Sequence, residues 1–219
     1  MWVRSLPGSD GRGGDVVPLD LVPAKLLRPR ARRVALIALA VGVVIGVLVW
    51  LVAPVWVAVL VGAVLALPPA IGATVATRRH LTLDGTVVTL AGPFRARSVD
   101  LAHLAGIELL VRVGGISQVI LRVNDGAHGL VSIPLALYAN GGGRELEVLS
   151  LRRLADALAT SDIAPAAAIS SVLVEQLRAE AREAGLGERP LYRAVDLARR
   201  AGRTPQTTLT DHEVASLVD

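Results

Sequence analysis

The stretch VALIALAVGVVIGVLVWLV, Val34–Val52, decides the fold, together with VWVAVLVGAVLALPPAIGATVA, Val55–Ala76, which follows after Ala53-Pro54. Neither run carries a charged side chain. The first contains thirteen Leu, Ile or Val residues. Each of these favours insertion at a helix centre by roughly 0.3–0.6 kcal/mol. The second run, as a helix, would be about 33 Å long against a hydrocarbon core of about 30 Å. The sequence therefore predicts two membrane-spanning helices joined at a short tip, a hairpin occupying residues 33–77.

Working outward, the flanks set an orientation. Lys25, Arg28, Arg30, Arg32 and Arg33 precede the first run, Arg78 and Arg79 follow the second, and the tip is uncharged. Positive residues stay on the cytoplasmic side, so both ends are expected in the cytoplasm and the protein is expected to be multi-pass in the inner (plasma) membrane. Trp50 and Trp56 bracket the tip, where indole rings suit the interface. A cleaved secretory signal fits poorly, because the apolar run is too long and starts too late.

Within the runs, Gly42 and Gly46 repeat at four-residue spacing, as do Gly62 and Ala66. Folding back at Ala53-Pro54 sets Gly42 level with Ala66 and Gly46 level with Gly62, and small residues at matched depth let two backbones approach. The same small face could instead make a homo-oligomer. Pro68-Pro69 removes two N–H donors and predicts a kink.

Composition narrows the rest. With 219 residues and no cysteine, the chain has room for one soluble domain of ordinary size and no thiolate chemistry. The net charge of +4 is modest, and aromatics are only 3%. That combination lacks the basic stripe with stacking rings that nucleic acid requires. Residues 1–32 are expected to be a disordered cytoplasmic tail with a basic juxtamembrane segment, in which Leu19–Leu27 could lie along the inner leaflet.

After the hairpin the pattern changes to period two. Strands are predicted on either side of Asp84-Gly85, over Phe94–Val99, Ile107–Val113 and Ser117–Val123, and over His128–Ile133, with Pro134 ending the last. Asn140–Gly143 reads as a loop and Arg144–Thr160 as a helix with Val148, Leu151, Leu154 and Leu158 on its packing face. Asp162 should cap a helix that Gly185 stops, Pro190 should begin a second helix ending at Gly202, and Thr210–Glu213 is a capping box for a third.

Six or seven short strands and a closing helix, carrying Leu81-Thr-Leu-Asp-Gly-Thr-Val-Val, Phe94-Arg-Ala-Arg-Ser-Val-Asp-Leu and Leu121-Arg-Val-Asn-Asp-Gly, resemble the bacterial pleckstrin-homology-like (PH-like) domain. Many members of that family set the domain directly after a transmembrane hairpin. The resemblance covers residues 80–160 and implies a partly open antiparallel β-barrel capped by a helix, with 161–219 a helical extension. It also implies a protein that is not an enzyme. Some relatives of the fold bind phosphoinositides through basic loop residues, for which Arg95 and Arg97 are the nearest candidates.

The basic positions Arg78, Arg79, Arg95, Arg97, Arg193, Arg199 and Arg200 are thus the candidate contacts for anionic lipid or an acidic partner. No catalytic, cofactor or metal residues are expected, since His80, His103, His128 and His212 share no ligand spacing. The sequence points to an integral membrane protein that presents a PH-like domain to an unidentified membrane or cytoplasmic protein. The alternative is an oligomeric hairpin that forms or regulates a transport complex.

Overall fold

The computed structural model describes residues 16–21, 24–51, 54–77, 80–92, 96–127, 129–139, 141–202 and 206–218, without the side chains of 24–32, 70 and 73–77. It is an α+β structure with two antiparallel sheets, and a pair of long helices is inserted between the first two strands.

Strand β1 (Val17–Pro18) precedes helix α1 (Ala24–Trp50) and helix α2 (Val55–Thr77); β2 (His80–Asp84) follows them. β1 pairs antiparallel with β2, Val17 opposite Leu83 and Pro18 opposite Thr82. The expectation of a disordered N-terminal tail therefore fails over 16–21. Val17, Leu19 and Leu21 are buried in the core rather than laid on a leaflet, because an apolar residue at every second position fits a sheet edge that is otherwise unpaired. The stretch from Ala24 is helical, so the basic segment is the first part of α1. Residues 1–15 lie outside the described residues.

The first sheet runs β1-β2-β3-β4, with β3 at Val87–Ala91 and β4 at Ala96–Asp100. Asp84 is opposite Val87, so the turn is Gly85-Thr86, and only Gly85 has positive φ (59°). That places glycine at the first central position, the type II′ arrangement, one residue later than Asp84-Gly85 suggested. Leu81, Leu83, Val88 and Val99 face inward. Leu101–Ala105 forms turns, in which the Asp100 carboxylate accepts from the Ala102 N–H at 3.0 Å.

The second sheet has the order β8-β7-β6-β5-β9: β5 is Gly106–Arg112, β6 Ser117–Asn124, β7 Leu130–Ala139, β8 Gly142–Glu145 and β9 Gln206–Thr208. Among the described residues no ladder joins it to the first sheet, so there is no closed barrel. Pro134 does not end β7. The register with β6 shifts between Val119 and Ile120, so that Ile120 faces Pro134 and Val119 faces Ala136, with Leu135 the extra residue of a bulge. A bulge is one of the few places a sheet tolerates proline. It also reverses the alternation: Val131 and Ile133 point inward before it, Ala136 and Tyr138 after it.

β8 occupies the start of the expected helix, and helix α3 runs from Val148 to Ala159. Its Leu151, Leu154 and Leu158 are fully buried, whereas Val148 is exposed. Helix α4 (Ala164–Ala181) follows with Pro165 in its first turn and no side-chain cap from Asp162; its N-cap is Ile163. Its stop is not Gly185. Glu183 adopts φ 54°, Ala184 N–H donates to Ala179 O and Glu183 N–H to Glu180 O, both at 2.9 Å. This is a Schellman motif with glutamate where glycine is usual.

Helix α5 (Pro190–Arg200) begins with proline and gives way to Gly202 at φ 58°; helix α6 (Asp211–Ala215) carries the complete Thr210–Glu213 capping box. These last helices are integral to the domain. Ile169, Leu173, Leu191, Val195 and Leu217 join the same hydrophobic core as Leu109 and Leu121, and β9 adds to the edge of β5.

Candidate functional site

Helices α1 and α2 meet through glycine. A Cβ at Gly42 would stand 2.8 Å from both the Ala66 Cβ and the Gly62 carbonyl oxygen, and one at Gly62 would stand 2.9 Å from the Gly42 oxygen. At Gly46 the nearest atom is the Ala58 oxygen at 3.3 Å, then the Gly62 Cα at 3.9 Å. The structure thus brings Gly42, Gly46, Gly62 and Ala66 together inside the hairpin, with Ala58 as a fifth member that four-residue spacing back from Gly62 could have found. α2 continues through Pro68 and Pro69 as one helix. At the tip, the Pro54 carbonyl accepts from the Val57 and Ala58 N–H groups at 2.9 and 3.3 Å.

Around this seam the surface is apolar. Nineteen large apolar side chains between Val34 and Ile71 are exposed, including Trp50 and Trp56. Arg33–Trp50 is long and apolar enough to cross a membrane by length and composition, at mean hydropathy 2.5, and Val55–Pro69 is a shorter apolar stretch.

The root of the hairpin is a clasp. Leu19 N–H donates to Leu81 O at 2.8 Å, the Leu81 N–H donates to Asp20 Oδ1 at 3.0 Å, and His80 Nδ1 lies 3.4 Å from Asp20 Oδ2. The Ser150 hydroxyl on α3 donates to Pro18 O at 2.8 Å, tying the same strand to the helical layer. The chain therefore leaves the sheet and re-enters it at one place.

The basic candidates are scattered. Arg78, Arg79 and Arg95 lie outside the described residues. Arg97 sits on β4 opposite Leu90, exposed where the inward face runs out of core. Arg193 is used within the fold, donating to Ser216 O at 3.0 Å and Leu217 O at 3.4 Å, and Arg200 pairs with Asp196 at 2.5 Å. Arg199 borders a polar cleft of about 290 Å³ formed with Gly114, Gly142, Tyr138 and Tyr192.

A buried polar cluster escaped the sequence reading. Glu145 Oε1 accepts from the Tyr138 hydroxyl at 2.6 Å; Oε2 accepts from Arg189 Nη1 at 2.6 Å and Gln176 Nε2 at 2.8 Å. Gln176 Oε1 in turn accepts from the Leu191 N–H at 3.1 Å, and Tyr138 meets Tyr192 edge-on at 5.2 Å. Burial, with the Glu145 carboxylate next in importance, pushes the Tyr138 phenol well above its ordinary pKa. The residues come from β7, β8, α4, α5 and the turn before α5, so no local spacing announces them. The alternation of β7 hid Tyr138, because the bulge reverses its phase. The Glu145 and Gln176 side-chain oxygens are all engaged, which makes the cluster a structural lock between the sheet and the C-terminal helices, while Tyr138 and Tyr192 also line the cleft beside Arg199.

Among the described residues no three His, Asp or Glu side chains could together hold a metal ion. Compared with protein-family models, curated proteins and solved structures, the chain matches none.

Proposed function

We propose that this chain is a membrane-anchored interaction module rather than an enzyme. The α1–α2 hairpin spans the inner membrane with both ends cytoplasmic, and the two-sheet domain is a PH-like module held at the inner leaflet for a protein partner.

One observation carries the reading: the apolar hairpin is inserted between two strands that pair with each other. A segment that leaves and returns at one point must cross a bilayer an even number of times, and two helices of 27 and 23 residues do so once each way. Nineteen large apolar side chains are left 45–72% exposed, and in water each forgoes roughly half or more of the 1.5–3 kcal/mol that full burial of such a side chain gains. A bilayer removes that cost.

The meander β2-β3-β4, the meander β5-β6-β7 and the following helix α3 support the PH-like assignment. The engagement of Gly42, Gly46 and Gly62 within the hairpin supports a self-contained anchor over a ring of hairpins built on those glycines.

The chain has no cysteine, so single cysteines report cleanly. A cysteine replacing Leu51 near the tip should react with a membrane-impermeant maleimide from outside the inner membrane, and one replacing Asp84 only after the membrane is opened. Labelling of the tip from the cytoplasmic side alone would overturn the topology.

A further inference from the structure

We infer that the cleft walled by the β5–β6 turn, the β7–β8 turn and helix α5 receives the C-terminal carboxylate of an extended peptide, with Arg199 as the guanidinium that pairs with it. This rests on the protein-partner reading of the domain and names that partner's chemistry; it is independent of which way the hairpin faces.

The lining offers donors and no acid. Gly114 and Gly115 wall the cleft on one side and Gly142 on the other, while Tyr192 and Arg199, two turns apart on α5, close it. Arg199 is exposed and its side chain makes no ion pair or hydrogen bond among the described residues, whereas Arg193 and Arg200 on the same helix are committed within the fold. Among the described residues the N–H groups of Gly114 and Gly115 have no backbone acceptor. No Asp or Glu lines the cleft, and Glu145, bonded to the Tyr138 hydroxyl, is already held by Arg189 and Gln176.

Donors around one fixed positive charge select an oxyanion. One guanidinium balances a carboxylate, whereas a phosphate group carries a charge nearer −2 and would be left about half unpaired. The cleft holds about 290 Å³, and at about 30 Å³ for each water-sized group it has room for roughly ten non-hydrogen atoms, the size of one terminal residue. The fold does not itself call for glycine at the walls. An added Cβ at Gly115 would meet nothing within 4 Å, and at Gly114 or Gly142 nothing nearer than 3.7 Å, and none of the three has positive φ. Bare backbone there keeps the cleft open.

The strand beside the cleft says what arrives. β8 is the outermost strand of the second sheet, its outer edge is unpaired among the described residues, and Gly142, Gly143 and Arg144 are exposed. A strand added antiparallel to β8 would run from the Glu145 end to the Gly142 end and bring its C-terminus to the cleft. A parallel strand would bring an ammonium group to Arg199 instead. The charge of Arg199 therefore sets the direction, and the main-chain ladder supplies the rest of the contact.

The test presents the full chain in detergent to a library of random heptapeptides ending in a free carboxylate. Selected peptides are resynthesised as acid and as C-terminal amide and titrated by fluorescence anisotropy. Amidation and Arg199→Gln should each weaken binding roughly tenfold or more, the loss of a hydrogen-bonded charge pair. Arg200→Gln should leave it unchanged. N-methylation of one alternating set of peptide amides should abolish binding, and of the other set should not.

Peptides that bind equally well as amides, or equally to Arg199→Gln, overturn the cleft assignment and leave a protein-binding domain standing. An N-acetylated copy of the terminal residue that binds as tightly as its heptapeptide shows a site for small carboxylates and overturns the peptide. Tolerance of both N-methylated sets overturns the strand pairing. A selection that enriches nothing overturns the proposal alone, because a folded partner can dock without a free C-terminus.

Discussion

Helix α1 meets α2 across glycine, whereas α4 and α5 meet the second sheet across a carboxylate shared by three donors. The first contact depends on side chains that are missing. The second depends on side chains that must all be present. Between Val34 and Ile71 the outer faces of the two helices are apolar, and if lipid surrounds them, as proposed, burying more hydrocarbon gains little, so close backbone approach would distinguish the paired state. Against a sheet in water, apolar burial already drives docking, and the polar cluster adds a single allowed arrangement.

Breaking the lock should have the largest effect. Glu145→Ala leaves Arg189, Gln176 and Tyr138 without their common acceptor in a mostly buried site, and should cost about 3–5 kcal/mol, seen as a lower urea midpoint by circular dichroism in detergent. Gly62→Leu should cost about 2–3 kcal/mol by forcing the helices apart. Gly72→Leu in the same helix should be nearly silent, since nothing lies within 4 Å of a Cβ there. Disulfide trapping between cysteines placed on facing turns of α1 and α2 would report the separation, and equal losses for both variants would refute a glycine seam.

Tyr138→Phe should cost about 1.5 kcal/mol near neutral pH by removing a hydrogen bond to a charged acceptor. The folded phenol holds its proton above the unfolded value of about 10. Its stabilising contribution is therefore complete below that pH and falls as pH rises past it. The Phe variant should lose this alkaline slope, measurable by unfolding on either side of about pH 10. The smallest change runs the other way. Glu183→Gly relieves a left-handed backbone that disfavours any Cβ, and should stabilise the domain by about 0.5–1 kcal/mol, read as a raised midpoint.

The same division explains what the sequence made legible. Local signals were readable: the charge-free runs, the β2–β3 turn to within one residue, the Thr210–Glu213 capping box, and the level pairing of Gly42 with Ala66. What was missed depends on partners distant in the chain. Val17–Leu21 looked like tail because its mate, β2, lies beyond the hairpin. Pro134 looked like a terminator because a bulge opposite β6 is invisible within β7. Gly185 looked like a helix stop, yet the motif closed two residues earlier on Glu183, and Glu145 gave no hint that Tyr138, Gln176 and Arg189 would converge on it.

The pairing of β1 with β2 also orders events during synthesis. Asp20 and Leu81 bond across a separation of 61 residues, and closing a flexible loop of that size costs about (3/2)RT ln n, roughly 3–4 kcal/mol before the constant. A finished hairpin already holds its two ends together and relieves most of that cost. Leu19 and Leu21 should therefore stay unpaired on the emerging chain until both helices have formed, then snap into the sheet. β1 would act as a latch whose closure marks the moment that the helical hairpin is complete.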